Sequence, residues 1–134
     1  MPAQIVIVEN DAAHRQLLSY LFERFGHVVE AVTTGKAALA LLEQRVPDLI
    51  VCDLHLVARE LDGYAIAAWC RQQPHLQTVP ILCVTASFDL YDVEKARTCG
   101  FTTVISKPIN PQSFVLQAEF YLPADKRGTL PQGQ

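Results

Sequence analysis

Alternating strand and helix periodicities predict an α/β domain, a parallel sheet with helices on both faces. Three observations carry that prediction. Short apolar β-type runs alternate with amphipathic stretches, the joints between them are short, and several of the apolar runs end in a polar or charged residue.

The first run, Gln4-Ile-Val-Ile-Val8, leads straight into Glu9-Asn10-Asp11. Leu17, Leu18, Leu21, Phe22 and Phe25 then recur at helical spacing, and Gly26 can end that helix. His27 to Ala31 reads as a short second strand. Gly35 to Arg45 places Ala38, Leu41 and Leu42 on one helical face, and Pro47 breaks it. The third strand, Asp48-Leu-Ile-Val-Cys-Asp53, is apolar and carries a carboxylate at its C-terminal tip. Gly63 to Gln73 reads as a helix stopped by Pro74. Ile81 to Val84 is a fourth strand running into Thr85, and Asp89 to Cys99 a fourth helix with Gly100 just past its end. Phe101 to Ile105 is a fifth strand running into Ser106-Lys107-Pro108, and Pro111 to Tyr121 a fifth helix. One domain over residues 1–122 is expected, with the polar, Pro/Gly-containing residues 123–134 as a flexible tail.

The chain has 134 residues, about one domain's worth, and half of them are hydrophobic. Its apolar runs are far too short to cross a bilayer. The N-terminus enters a strand with no basic segment or apolar leader before it, so a cytoplasmic location is expected. A net charge of -3 without a basic cluster argues against a nucleic-acid surface. Cys52 and Cys83 fall in strands, Cys70 and Cys99 in helices, and no Cys-x-x-Cys spacing occurs. Reduced thiols in a core fit that pattern better than a disulfide framework or a metal site.

A carboxylate ending a buried strand is costly unless the tip opens into a polar site. Asp53 could be a nucleophile, a metal ligand or a helix cap; Leu54-His55-Leu56 follow it rather than a helix start, so capping is a poor explanation. Ligands of open parallel sheets bind at the C-terminal edge, where Glu9, Asn10, Thr85 and Lys107 also arrive. Oxygens from two tips suit a hard divalent cation such as Mg²⁺. Lys107 offers an ammonium to Asp53 or to an anion bound there, Thr85 a hydroxyl, and Ala86 a backbone N–H. Together these groups fit phosphoryl transfer onto an aspartate.

The motifs Ile5-Val-Ile-Val-Glu-Asn-Asp11, Pro47-Asp-Leu-Ile-Val-Cys-Asp53, Leu61-Asp-Gly63, Pro80-Ile-Leu-Cys-Val-Thr-Ala86 and Ser106-Lys-Pro108 occur in that order. On these residues the chain, over about 4 to 121, resembles the receiver domains of two-component response regulators. The resemblance implies a flavodoxin-like, doubly wound sheet in strand order 2-1-3-4-5. It implies that Asp53 accepts a phosphoryl group from a histidine kinase or a phosphotransfer protein. It further implies Mg²⁺ held by Glu9, Asn10, Asp53 and the backbone carbonyl of His55, a switch hydroxyl at Thr85, phosphate contacts from Thr85, Ala86 and Lys107, and a cis Lys107–Pro108 bond. Such a domain signals by binding, not as an enzyme in the ordinary sense. Its partner surface is formed by helix 4, strand 5 and helix 5; here Leu116 and Phe120 make a second apolar stripe, fit for a target protein or a homodimer.

Three departures stand out. Asn10 replaces the second carboxylate of the acidic pair, which weakens Mg²⁺ binding by on the order of a few kcal/mol; Asp11 is better placed to cap the next helix than to compensate. The loop from Leu56 to Gly63 is longer than the family's and lacks its proline. Val104 stands where a Tyr or Phe usually swings, and a stiff, small valine cannot do so. These motivate an alternative, a pseudo-receiver acting as a constitutive interaction module. A phosphatase of the haloacid-dehalogenase kind is more distant, since it needs a second Asp two residues after the nucleophile and the chain has His55 there.

Overall fold

The structure is a computed structural model that describes residues 2–54, 61–86 and 89–128. Five strands, β1 (Gln4–Val8), β2 (Val28–Val32), β3 (Leu49–Cys52), β4 (Ile81–Thr85) and β5 (Thr103–Ser106), form one parallel sheet in order β2-β1-β3-β4-β5. This is the expected doubly wound order. The helices between them are α1 (Ala12–Arg24), α2 (Gly35–Leu42), α3 (Gly63–Gln72), α4 (Leu90–Cys99) and α5 (Phe114–Glu119).

The central strands are apolar on both sides because both sides are covered. Along β1, Val6 and Val8 pack with α2 and α3 residues such as Leu42 and Ile66, while Ile5 and Ile7 pack with Leu18 and Phe22 of α1 and Phe114 of α5. β3 divides likewise, with Ile50 and Cys52 on one face and Leu49 and Val51 on the other. Phe22 meets Phe114 edge to face at a centroid distance of 5.6 Å, joining α1 to α5. Cys52, Cys70 and Cys83 are buried free thiols; burial pushes Cys52 well up and Cys83 up to about 12, which keeps them protonated and inert.

Capping explains the helix starts. Asp11, Thr34, Asp62 and Asp89 each accept a backbone N–H from the first turn of α1, α2, α3 and α4, and Asp89 and Asp92 form a reciprocal capping box. Helix α5 is shorter than the periodicity suggests. Asn110 turns the chain instead, its carbonyl accepting from Ser113 and Phe114 and its side chain from Gln112. A 3₁₀ turn at Pro74–Leu76, absent from the sequence reading, is held by Arg71, whose guanidinium donates to the carbonyls of Leu76, Gln77, Val79 and Gly100.

Past α5 the chain makes a 3₁₀ turn at Ala124–Lys126 against the opposite end of the sheet. Lys126 Nζ donates to Asp48 Oδ1 at 2.8 Å, and the buried Glu119 carboxylate accepts from His27 Nε2 and from the Gly128 N–H, both at 2.6 Å. The Ala3 N–H donates to His27 Nδ1 at 3.1 Å, which assigns the ring's proton to Nε2. Residues 129–134 of the expected tail lie outside the described residues.

Candidate functional site

The strand tips deliver Glu9, Asp53, Thr85 and Lys107 to one edge of the sheet. Parallel pairing sets their level: Val8 lies opposite Cys52 and Thr85 opposite Ser106, so the next residue along three of the strands is a candidate site residue. The Val8 carbonyl accepts the Asp53 N–H at 3.1 Å, and the Thr85 carbonyl accepts the Lys107 N–H at 2.9 Å. The Lys107–Pro108 peptide bond is cis.

Lys107 Nζ donates to Glu9 Oε1 at 2.8 Å and to Asp53 Oδ2 at 3.1 Å. The side-chain exposures are 2% for Glu9, 9% for Asp53 and 17% for Lys107, so two carboxylates share one ammonium almost out of water. Burial alone would raise the Glu9 carboxyl. Hydrogen bonds from His14, Lys107 and the Asp11 N–H outweigh it and hold the group down at about 2. Burial likewise pulls the Lys107 ammonium down, and its bonds to Glu9 and Asp53 outweigh that and raise it.

A depressed acid stabilises the fold above its unfolded pKa and stops doing so as pH falls through its folded one. In metal-free buffer Glu9 therefore contributes fully above pH 4.5 and loses its contribution on the way down to about 2. Glu9→Gln will flatten the acid limb of a denaturation profile across that window. An acid limb identical to wild type would show that Glu9 is not held this way.

Thr85 is fully buried, and its Oγ1 has no hydrogen-bond partner among the described residues. An orphaned buried hydroxyl calls for an explanation, and a visiting acceptor is one. Ala86 follows it at the exposed rim. Asp11 caps α1, accepting the Ala13 N–H at 3.0 Å, as expected from its position. Asn10 is exposed at the same edge. His55, Arg59 and Glu60 lie outside the described residues, as does most of the longer loop. Its far end is visible: Gly63 donates its N–H to the Leu54 carbonyl at 3.1 Å, and a Cβ there would collide with the Asp53 carbonyl oxygen.

Two groups at this edge escaped the sequence reading. His14 Nδ1 lies 2.7 Å from Glu9 Oε1, and Arg15 donates to the Glu9 carbonyl at 2.9 Å. The signal was present: a side chain in the first turn of a helix leans back over the residues before its cap. Among the described residues no group of three His, Cys, Asp and Glu side chains gathers as a metal cage. The carboxylates of Glu9 and Asp53 lie at this edge and Asn10 follows Glu9 in the chain; oxygen donors of this kind suit a hard, largely hydrated ion.

Val104, half-buried, pairs with Cys83 in the sheet. With Ile105 it lines an open groove of about 670 Å³ between β5 and α5, closed on the other side by Leu116, Phe120 and Tyr121. Leu116 is 53% and Phe120 72% exposed, while Phe114, Val115 and Ala118 are buried, so the two stripes separate as the sequence indicates. No helix among the described residues is long and apolar enough to cross a membrane.

Comparison with known proteins agrees with this geometry. The polar-differentiation response regulator DivK of Brucella anthropi is 32% identical over 122 residues, 91% of this chain and 98% of that one. The signal receiver domain of a signal transduction histidine kinase from Syntrophus aciditrophicus superposes with a TM-score of 0.81 at 28% identity, covering 98% of this chain and 99% of that one. The receiver domain of a sensor histidine kinase from Pseudomonas aeruginosa shares the fold at a TM-score of 0.81 and 24% identity over 90% of this chain and 98% of its own, and that structure has a magnesium ion in its active-site cleft. Residues 5–119 match the response regulator receiver domain family, and the chain belongs to it.

Proposed function

We propose that this receiver domain accepts a phosphoryl group on the Asp53 carboxylate and passes the signal on by binding a partner. The donor class is the phosphohistidine of a histidine kinase or a histidine phosphotransfer protein. The observation that carries the reading is Lys107 spanning Glu9 and Asp53 at 2.8 and 3.1 Å at the C-terminal edge of the sheet, with the Thr85 hydroxyl buried at the tip of the next strand and without a partner among the described residues.

In the proposed step an Asp53 oxygen attacks phosphorus, an O–P bond forms, and the P–N bond of the donor breaks. The imidazole leaves with the bonding electrons. Positioning and charge neutralisation supply most of the rate in such a transfer. Lys107 stays within reach of the phosphoryl oxygens, and the Thr85 hydroxyl and the Ala86 N–H offer further donors. Glu9, Asn10, Asp53 and the His55 carbonyl are the groups that would hold Mg²⁺. When bound, the ion neutralises the negative charge that an incoming phosphate adds to two carboxylates.

The output surface is the face of α4, β5 and α5, where Leu116 and Phe120 border the groove beside Val104. Its occupant is a target protein or a second copy of the chain. A constitutive interaction module is the second reading, favoured by the exposed amide at Asn10 and by a valine where the aromatic switch would be.

Intact-protein mass after incubation with Mg²⁺ and a small acyl-phosphate donor tests the choice. Wild type will gain one phosphoryl-sized increment, and Asp53→Ala or chelation of the metal will abolish it. A folded wild-type chain with no increment at any Mg²⁺ concentration would establish the constitutive module instead.

A further inference from the structure

We propose that His14 is a positioning residue for the Glu9 carboxylate, and that by orienting that carboxylate it lets this site keep a divalent cation despite Asn10. The inference rests on the phosphoacceptor reading above and adds a residue to it.

The local sequence builds the contact. Asp11 caps α1 and accepts the N–H of His14 itself at 3.3 Å, which places His14 in the first turn. A first-turn side chain leans towards the N-terminus, here onto the tip of β1. The result is the 2.7 Å contact between Nδ1 and Glu9 Oε1. An ionised carboxylate only accepts, so Nδ1 carries the proton. The other ring nitrogen, Nε2, is buried and has no partner among the described residues. Burying an imidazole nitrogen unpaired is unfavourable, so packing alone is a poor reason for His14. Among the described residues its ring makes one hydrogen bond, and that bond orients Glu9.

That role is the one the site most needs. Oε1 of Glu9 accepts from both His14 and Lys107, and Oε2 accepts the Asp11 N–H at 3.2 Å, so the carboxylate is held from three directions. With an amide at position 10 and the Asp11 carboxylate turned to cap α1, Glu9 and Asp53 are the carboxylates that share Lys107, and the orientation of Glu9 matters to any cation held there. Groups that hydrogen-bond a metal-facing carboxylate commonly govern affinity by about 10- to 100-fold.

The test titrates magnesium chloride into the metal-free full chain and follows the backbone amide resonances of Asp53 and Thr85, with a thermal melt of each variant. His14→Leu will weaken Mg²⁺ binding by about tenfold, at the lower end of that range. His14→Asn, whose amide nitrogen takes the place of Nδ1, will bind as wild type does. Wild-type affinity in His14→Leu overturns the proposal, as does equal weakening in the Leu and Asn variants. If His14→Leu does not fold, His14→Gln, which carries its amide past the Nδ1 position, serves as the variant lacking the bond under the same criteria. A wild-type chain that ignores Mg²⁺ overturns this proposal together with the metal set on which it rests. A wild-type chain that binds Mg²⁺ and takes up the phosphoryl group, with His14→Leu unchanged, overturns this proposal alone.

Discussion

Gly63→Ala will lower the melting temperature by roughly 10 °C and slow phosphoryl uptake at Asp53. The added Cβ would collide with the Asp53 carbonyl oxygen and sit 2.8 Å from Leu54 Cα and 3.0 Å from Asp53 C. All three are backbone atoms at the tip of a strand buried on both faces, so no flexible side chain can yield. Overpacking of this kind typically costs about 1–3 kcal/mol, and a backbone obstacle belongs at the upper end. For a domain of this size that corresponds to roughly 10 °C. The same displacement moves Asp53, whose geometry sets the reaction, so the effect on uptake will exceed what stability alone accounts for. Thermal denaturation by circular dichroism and the mass assay measure the two parts separately. A variant that melts within a degree or two of wild type and loads normally would mean that α3 does not pack on the strand tip this closely.

Lys107→Met will destabilise the metal-free protein by about 2 kcal/mol, because it removes an ammonium that two nearly buried carboxylates share. Breaking a fully buried pair costs about 3–5 kcal/mol; at 17% exposure Lys107 is partly screened, which places the effect below that range. Methionine keeps most of the volume, so the loss is one of charge. The diagnostic is the double variant. Glu9→Gln in the Lys107→Met background removes one of the stranded carboxylates and will restore part of the lost stability, a coupling that urea denaturation reads directly. Strictly additive effects would show that Lys107 and Glu9 do not share the pair. Mg²⁺, held by the proposed Glu9 and Asp53 carboxylates, would offset part of the Lys107→Met loss by supplying positive charge to the same pair.

Much of this was legible in the chain itself. Strand tips announce themselves when an apolar run stops at a polar residue, and Val8, Cys52, Val84 and Ile105 do so at Glu9, Asp53, Thr85 and Ser106-Lys107. The parallel order follows from the alternation of elements. Boundaries were less legible. β5 begins at Thr103 rather than Phe101, because Thr102 first closes on Ile81 through both its N–H and its hydroxyl. Helix α5 is cut short by Asn110, whose competing backbone bonds leave no mark on hydrophobic periodicity.

The sequence by itself determined which chemical groups reach the edge of the sheet. Asn10 and Val104 are readable there as changes of charge and of volume. Only the tertiary structure decided who holds whom: that Lys107, 98 residues along the chain, bridges to Glu9, that His14 completes Glu9's partners, and that Gly63 must lack a side chain to let Asp53 pass. The reason is physical. Burial and periodicity depend on each residue and its near neighbours and so can be read along the chain. Pairing in a site depends on directions and distances of about 3 Å between residues far apart in sequence, and those exist only once the sheet has set its register.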